Sequence, residues 1–598
     1  MRNARIPRKT YNPPNGRALF SLTVLSACLY AAIEWLFFMT RPSPLSILAL
    51  IDSVKILFVT AGTFTVISIA LLAILSLPIV VVRNSNRRSQ LLMFGATVPA
   101  LLFSITALIL FDNFMNAEFE VGILSSKGFL RGIYALGFLF FFWLMLLATK
   151  RAGWARRKFA FYLALILLSV SMTAILATRL ARYPNIIILG SDGLSARYLT
   201  VYDSNRKTTP FLADLARQSL VAENAFPNAG STTGSTTTVL TGKETIETNV
   251  YRYSDILSER DSLEHLPGIL RQHGYKTIEI GTRDYVDARK INLLEGFGVV
   301  NNQTMIEPAS NAFSAFFSNS LSTPFIQTIV ERSRERLLHI FFIRDRQLPP
   351  ARVETPAAFT SDEQRVEQII DLLTHADRPL FVFAHLMDTH GPHFSFQKEV
   401  FSSEVSADKE WDERRYQDAL LSFDGYVKRI YEHLAKTGQL DHTILVVYTD
   451  HGFRYAIHER IPILIHFPEN ANSGTRKDNV QNIDIPVTLL DYLGISRPKW
   501  MTGASLLNGE PDADRKIMST TSGSPNRIAP PFYQIQSIQV IICQKWYVLN
   551  IREDTWHTGT INGHTAKCAE DILPSEEKVH QTIVEYLEKH NYDTSSLK

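Results

Sequence analysis

The strongest constraint on this chain is a series of apolar runs within its first 180 residues. A helix that crosses a bilayer takes about 20 predominantly apolar residues. Five segments reach that length: Ala18–Met39, Val54–Val82, Leu91–Phe111, Phe129–Thr149 and Phe159–Ala177. The start of the second is ambiguous, because its apolar run begins at Leu45 and contains Asp52 and Lys55. An interfacial or re-entrant piece stays open there. Buried helices of a soluble core would be shorter and would carry more charge. Residues 1–180 are therefore expected to form an α-helical membrane domain of about five spans. A transporter reading finds little support, since Asp52 and Lys55 are the one acid–base pair and sit at an uncertain span edge.

Basic residues orient the spans, because cytoplasmic loops are enriched in Lys and Arg. The N-terminus carries Arg2, Arg5, Arg8, Lys9 and Arg17. Arg83, Arg87 and Arg88 follow the second span, and Lys150, Arg151, Arg156, Arg157 and Lys158 follow the fourth. The connection between spans three and four is acidic instead, with Asp112, Glu118 and Glu120. This alternation puts the N-terminus inside and everything beyond the fifth span outside. The first run is too long for a cleavable signal peptide and lacks a small-residue cleavage pattern. The expectation is a multi-pass protein of the cell (inner) membrane with a periplasmic or extracellular domain.

From Pro184 onward the chain reads as a soluble globular protein. The net charge is only +3, and no basic patch is interleaved with aromatics, which argues against a nucleic-acid partner. Apolar runs such as "NIIILG", "RPLFVFAHLMD" and "DHTILVVYTDHG" alternate with helix-like stretches. Continuous apolar strands separated by amphipathic helices predict a mostly parallel sheet covered on both faces. Ligands in such sheets gather beyond the carboxyl ends of the strands. The polar residues at those ends are Asp192, His385, Asp388, His390, Asp450 and His451. Singly, each has a dull explanation: Asp192-Gly193 or Asp450-His451-Gly452 as strand-ending turns, His390 as a surface residue. Their coincidence at several strand ends is what suggests a divalent-metal site with mixed oxygen and nitrogen ligands. The run "NAGSTTGSTTTVLTGK" (228–243) reads by composition as a hydroxyl-rich loop.

Several motifs in order carry a family resemblance. "PNIIILGSDGLSARYL" with "TPFLADLARQSLVAENAF" resembles the opening of the sulfatase/alkaline-phosphatase superfamily. "YQDALLSFDGYVKRIYEHLAKTGQLDHTILVVYTDHG", "NIDIPVTLLDYLGI" and "GASLL" resemble its later elements. The resemblance covers roughly residues 184–510. With the preceding spans, the chain is most similar to lipid-A phosphoethanolamine transferases and lipoteichoic-acid synthases. The resemblance implies an α/β sulfatase-like catalytic domain over 184–510, completed by a small C-terminal subdomain over 511–598. It also implies a divalent metal (Zn, Mn, Mg or Ca) held by Asp192, Thr232, Asp450 and His451.

Counting back from Leu240-Thr241-Gly242, the sulfatase nucleophile position falls on Thr232. Sulfatases place Pro and Arg nearby, where this chain has Gly234 and Thr236, so formylglycine chemistry is disfavoured. The transferase pattern G-x-T-x-x-S matches Gly230 to Ser235 and makes Thr232 the catalytic nucleophile, with Ser231 and Thr233 as local rivals. A Thr hydroxyl needs activation, which metal coordination provides. His390 and His458 are implied to bind substrate or a second metal; His385 is supportive, and His393 has no assignment. Asp192 departs from the transferases, which often have Glu there. The implied reaction is transfer of phosphoethanolamine or phosphoglycerol from a phospholipid donor to an envelope glycolipid or glycan acceptor. The alternatives are a membrane-anchored phosphodiesterase or sulfatase and a non-catalytic sensor. Residues 300–360 match no family element and read as an amphipathic, membrane-facing insertion. Cys543 and Cys568 fall in the exported part, where a disulfide would persist.

Overall fold

The computed structural model describes residues 16–40, 45, 48, 50–81, 95–119, 123, 128–151, 183–304, 323–341, 360–507, 515–523, 535–565 and 573–597, apart from single positions within these stretches. Two compact units result. One joins Met1–Leu180 with Pro308–Thr355; the other joins Ala181–Glu307 with Pro356–Lys598.

The first unit contains α1 (Gly16–Met39), α2 (Leu50–Val81), α3 (Thr97–Phe119) and α4 (Gly128–Arg151). Each contains a stretch long and apolar enough to cross a membrane, giving four such helices among the described residues. The fifth expected span, Phe159–Ala177, lies outside the described residues, as do most of the basic loops. Two boundaries differ from expectation. Helix α2 begins before Val54 and absorbs Asp52 and Lys55, whose charges pair at 2.6 Å one turn apart. Helix α3 runs on to Phe119, so Asp112 is not a loop acid but a buried helical one.

In the second unit, β1 (Asn185–Ser191) is a run of β-branched and apolar residues buried on both faces. After it come α5 (Pro210–Ala216), β2 (Leu220–Phe226), α6 (Thr232–Thr241), α7 (Leu266–Gln272), β3 (Lys276–Ile280), β4 (Val299–Val300) and β5 (Gln303–Thr304). The chain then leaves for α8 (Thr323–Phe341), which belongs to the first unit. It returns with α9 (Asp362–Thr374), β6 (Leu380–Leu386), α10 (Glu413–Lys436), β7 (Thr443–Thr449), β8 (Ile463–His466), β9 (Gly474–Gln481) and α11 (Asp484–Tyr492). The sheet order is β5-β4-β3-β6-β1-β7-β8-β2-β9. It is mostly parallel, with β8 antiparallel to both of its neighbours and β5 antiparallel to β4. Helix α10 shows why the faces are covered. Tyr416, Ala419, Leu420, Phe423, Val427, Ile430 and Leu434 recur every three or four residues and are buried, while Asp412 caps its first turn through Arg414 and Arg415 N–H.

A second sheet, β10 (Ile517–Ser522), β11 (Ile535–Ile542), β12 (Lys545–Asn550) and β13 (Thr555–Thr560), is antiparallel. Helix α12 (Glu576–Lys589) packs its Val579, Ile583 and Leu587 on it, in one core with Ile538, Val540 and Leu549. Cys543 is disulfide-bonded and Cys28 is free; Cys568 lies outside the described residues.

Helix α8 falls in the segment that matched no family element, and its contacts are specific. Arg332 pairs with Glu34 of α1 at 3.0 Å, with its guanidinium 3.8 Å from the Phe37 ring. Arg336, one turn on, pairs with Asp112 of α3. Both acids are buried. Leu337 and Ile340 join Leu108, Ile123, Tyr134 and Phe138 in an apolar cluster, and Tyr30 Oη donates to the Ile329 carbonyl at 3.0 Å. Two arginines of this amphipathic helix, one turn apart, therefore face acids on other helices of its own unit.

Candidate active site

Strand register gathers the candidate acids. Ser191 is paired with Leu386 of β6 on one side and Thr449 of β7 on the other, so Asp192 and Asp450 each follow the last paired residue. Gly193, at φ +64°, turns the chain there and donates its N–H to Asp450 Oδ1 at 3.0 Å. The His451 N–H donates to the same oxygen at 3.0 Å. Thr449 Oγ1 donates to the Ser191 carbonyl at 2.6 Å and accepts from Leu194 N–H at 2.9 Å, which locks the two strand ends together.

These bonds leave particular atoms unused. Asp450 Oδ1 is satisfied twice, yet its Oδ2 is buried with no partner. His451 Nδ1 faces the Gly452 carbonyl at 3.0 Å. A carbonyl only accepts, so Nδ1 carries the proton and Nε2 presents its lone pair, also buried and unpartnered. Nε2 lies 3.3 Å from Asp450 Oδ2 and 3.9 Å from Asp192 Oδ1. Ligand atoms from Asp192, Asp450 and His451 all fall within 4.8 Å of one another. His385, fully buried, has no hydrogen bond at either ring nitrogen, and its Nε2 sits 3.8 Å from Asp450 Oδ2 and 3.9 Å from Asp192 Oδ2. Gly190 makes room for that ring, since a Cβ there would lie 3.0 Å from His385 Nδ1. Leaving several buried polar atoms unsatisfied is costly. Two carboxylates and an imidazole lone pair converging on one point fit a divalent cation.

The nucleophile candidate stands beside this cluster. The run read as a loop is in fact helical from Thr232, with Ser231 as N-cap accepting from the Gly234 N–H. Thr232 Oγ1 donates to Asp192 Oδ2 at 3.0 Å. Its rivals are engaged elsewhere: Ser231 Oγ donates to the Tyr251 carbonyl, and Thr233 Oγ1 to the Tyr285 carbonyl at 3.0 Å. The remaining threonines turn back onto the helix itself. Thr236, Thr237 and Thr241 hydroxyls donate to the carbonyls of Thr232, Thr233 and Thr237 at 2.7–2.8 Å.

Electrostatics follow from this packing. Burial by itself would raise Asp192, but the imidazoles of His451, His390 and His385 outweigh it and hold the carboxyl well below the usual range. Burial likewise works to lower His451, and Asp450 and Asp192 prevail and raise it. Asp388 is pushed up to about 6 by burial and the nearby Asp362 carboxylate, and it accepts from Tyr426 Oη at 2.9 Å. That bond occupies Asp388 in packing against α10.

His390 lies at the rim. Its ring is 5.6 Å from that of Tyr285 and 6.4 Å from that of Tyr455, and the Tyr455 ring is 4.8 Å from that of His451. His458 is exposed, stacks on Trp546 at 5.0 Å, and lines a cavity of about 240 Å³ with Arg197, Glu459 and Arg460. Among the described residues it does not join the three converging ligands. The short segment after Asp450 carries it to that neighbouring cavity. His393 pairs with Glu410 at 3.9 Å on the surface. His385, expected only in support, lies against both carboxylates, and its sequence signal is its place at the end of an apolar run.

The sequence pattern of the sulfatase family matches residues 184–495, more than half of the chain. The chain belongs to the sulfatase family. An N-acetylglucosamine-6-O-sulfatase of Bacteroides thetaiotaomicron is 31% identical over 106 residues, 16% of this chain and 19% of that protein. The uncharacterized sulfatase YdeN of Escherichia coli is 23% identical over 350 residues, 51% of this chain and 57% of that protein. This sulfatase-family chain thus spans less than two thirds of either relative. Among solved structures, the phosphonate monoester hydrolase of Agrobacterium radiobacter aligns with 68% of this chain and 95% of its own, at 16% identity and a TM-score of 0.43. Sulfatase-family enzymes bind a divalent metal, and the Asp192, Asp450 and His451 group could hold one.

Proposed function

We propose that this sulfatase-family protein transfers a phospho-alcohol group, phosphoethanolamine or phosphoglycerol, from a membrane phospholipid to an envelope glycolipid or glycan. The observation that carries the reading is the hydrogen bond from Thr232 Oγ1 to Asp192 Oδ2 beside the metal-ligand group. Gly234 and Thr236 stand where formylglycine sulfatases have Pro and Arg, which leaves Thr232 an unmodified hydroxyl.

A divalent metal held by Asp192, Asp450, His451 and Thr232 would lower the hydroxyl's pKa and offset charge on the phosphoryl oxygens. An imidazole among mostly oxygen donors suits zinc or manganese better than magnesium or calcium. The chain's own groups do the rest. Thr232 Oγ, oriented by its hydrogen bond to Asp192 Oδ2, attacks phosphorus and gives its proton to water. The bond from phosphorus to the diacylglycerol oxygen breaks, and that oxygen takes a proton from His390 at the rim. In the second half the acceptor hydroxyl gives its proton to His390 and attacks the phosphothreonine. Thr232 leaves and takes up a proton from water. The N-terminus of α6 favours negative charge building up at Thr232. Spans in the same chain would let the donor's acyl chains stay in a bilayer while its headgroup reaches the site.

A second reading, hydrolysis with water as acceptor, is favoured by the sulfatase names of the curated relatives. Product analysis separates the two. Purified protein in vesicles of phosphatidylethanolamine and phosphatidylglycerol should release diacylglycerol faster when a glycolipid acceptor is added, with the headgroup phosphate on the acceptor. Release of free headgroup phosphate at an acceptor-independent rate would establish the hydrolase.

A further inference from the structure

The rim of the site carries aromatic side chains that the reaction above leaves without a task. Tyr285 is 38% exposed and Tyr455 42% exposed. Both are tied to the nucleophile segment. Thr233 Oγ1 bonds the Tyr285 carbonyl, and a Cβ on Gly230 would lie 3.3 Å from the Tyr455 carbonyl oxygen. The two rings meet His390 at different inclinations, 35° and 74°, so their planes are not parallel.

The backbone that carries Tyr455 is strained. Arg454 and Tyr455 are consecutive non-glycine residues at φ +57° and +62°. Such conformations persist where the surroundings over-determine them, often at ligand clamps. The adjoining positive charge is engaged on other rings. The Arg454 guanidinium lies 5.7 Å from the Trp411 ring and 5.3 Å from the Phe453 ring, and its Nη2 donates to the Trp411 carbonyl at 3.2 Å. Two tyrosine rings thus stand beside histidines of a centre that contains two carboxylates.

We infer that Tyr285 and Tyr455 form the subsite for the alkylammonium end of a phosphodiester headgroup, seated on their ring faces beside His390. This rests on the reading of Thr232 as the residue that attacks a phosphodiester. A cation is drawn to the face of an aromatic ring, and more strongly where water is excluded. Inclined faces enclose a compact cation, whereas a flat sugar ring stacks on one face or between parallel ones. A glycerol headgroup offers the rings no charge. The headgroup class selected is therefore an amino-alcohol phosphate.

The test compares p-nitrophenyl phosphocholine with p-nitrophenyl 3,3-dimethylbutyl phosphate, its neutral isostere with carbon in place of nitrogen. Full-length, metal-loaded protein in detergent should show kcat/KM about tenfold higher for the cation. Tyr455→Leu and Tyr285→Leu should each bring that ratio towards one, and Tyr455→Phe, which keeps the ring, should retain it. The ratio is taken within one preparation, so a loss of folded protein does not imitate the effect. A wild-type ratio near one, or a ratio that both Leu variants leave intact, would overturn the subsite. Mapping the phospho-adduct separates the two claims. An adduct on Thr232 with a ratio near one defeats the subsite alone, and a persistent ratio without that adduct supports the subsite while defeating the transfer reading.

Discussion

At Asp450, one carboxylate oxygen accepts two backbone N–H groups and the other, equally buried, accepts none. That division fixes the side chain and leaves one donor atom for a cation. Asp450→Asn keeps the shape and removes the charge, so the purified variant should lose bound divalent metal along with activity. Metal analysis decides it, and full occupancy would remove Asp450 from the ligand set. The hydroxyls around Thr232 divide in the same way. Ser231→Ala removes an N-cap and should cost about 1 kcal/mol of stability while keeping measurable turnover. Thr233→Ala should also remain active, because its hydroxyl holds the Tyr285 loop. Thr232→Ala should abolish turnover and leave thermal stability within about 1 kcal/mol. Sequence alone located Thr232 by counting from a motif and could not exclude its neighbours. Their hydrogen bonds separate them, and those depend on Tyr251 and Tyr285, which no local pattern connects to the run.

Among the elements, strand ends were legible because a parallel sheet buried on both faces requires continuous apolar runs, and β1, β6 and β7 have them. Helix α6 was not legible. Gly, Ser and Thr rank poorly as helix formers, and this helix is sustained by burial of every residue, the hydroxyls of Thr236, Thr237 and Thr241 being satisfied on its own carbonyls. The pairing of α8 was hidden too, since its partners Glu34 and Asp112 lie about 220 to 300 residues away. Removing one member of a buried ion pair is destabilising by about 3–5 kcal/mol. Arg336→Met should therefore lower the unfolding temperature of the full-length protein in detergent, and adding Asp112→Asn should restore much of the loss. Equal stability of the single variant and wild type would make the pair incidental.

On the scale of the whole molecule, the chain combines apolar helices with a sulfatase-family unit. Residues 300–360 read as an amphipathic, membrane-facing insertion, and α8 within them belongs with the helices of the first unit; the sequence did not reveal the acids it pairs with. The alternation of basic loops predicts a cytoplasmic connection after α4. A single-cysteine variant at Trp154 should resist impermeant thiol reagents on intact cells and react after lysis; labelling from outside would reverse the orientation. The central claim is that Thr232 carries the phospho-alcohol group between donor and acceptor. Its most direct test is intact-protein mass spectrometry of full-length protein incubated with a defined phospholipid and no acceptor, followed by peptide mapping of residues 228–243. The predicted result is a single added headgroup phosphate, without acyl chains, on Thr232. Product release with every hydroxyl in that peptide unmodified, or an adduct on Ser231 or Thr233, would contradict it.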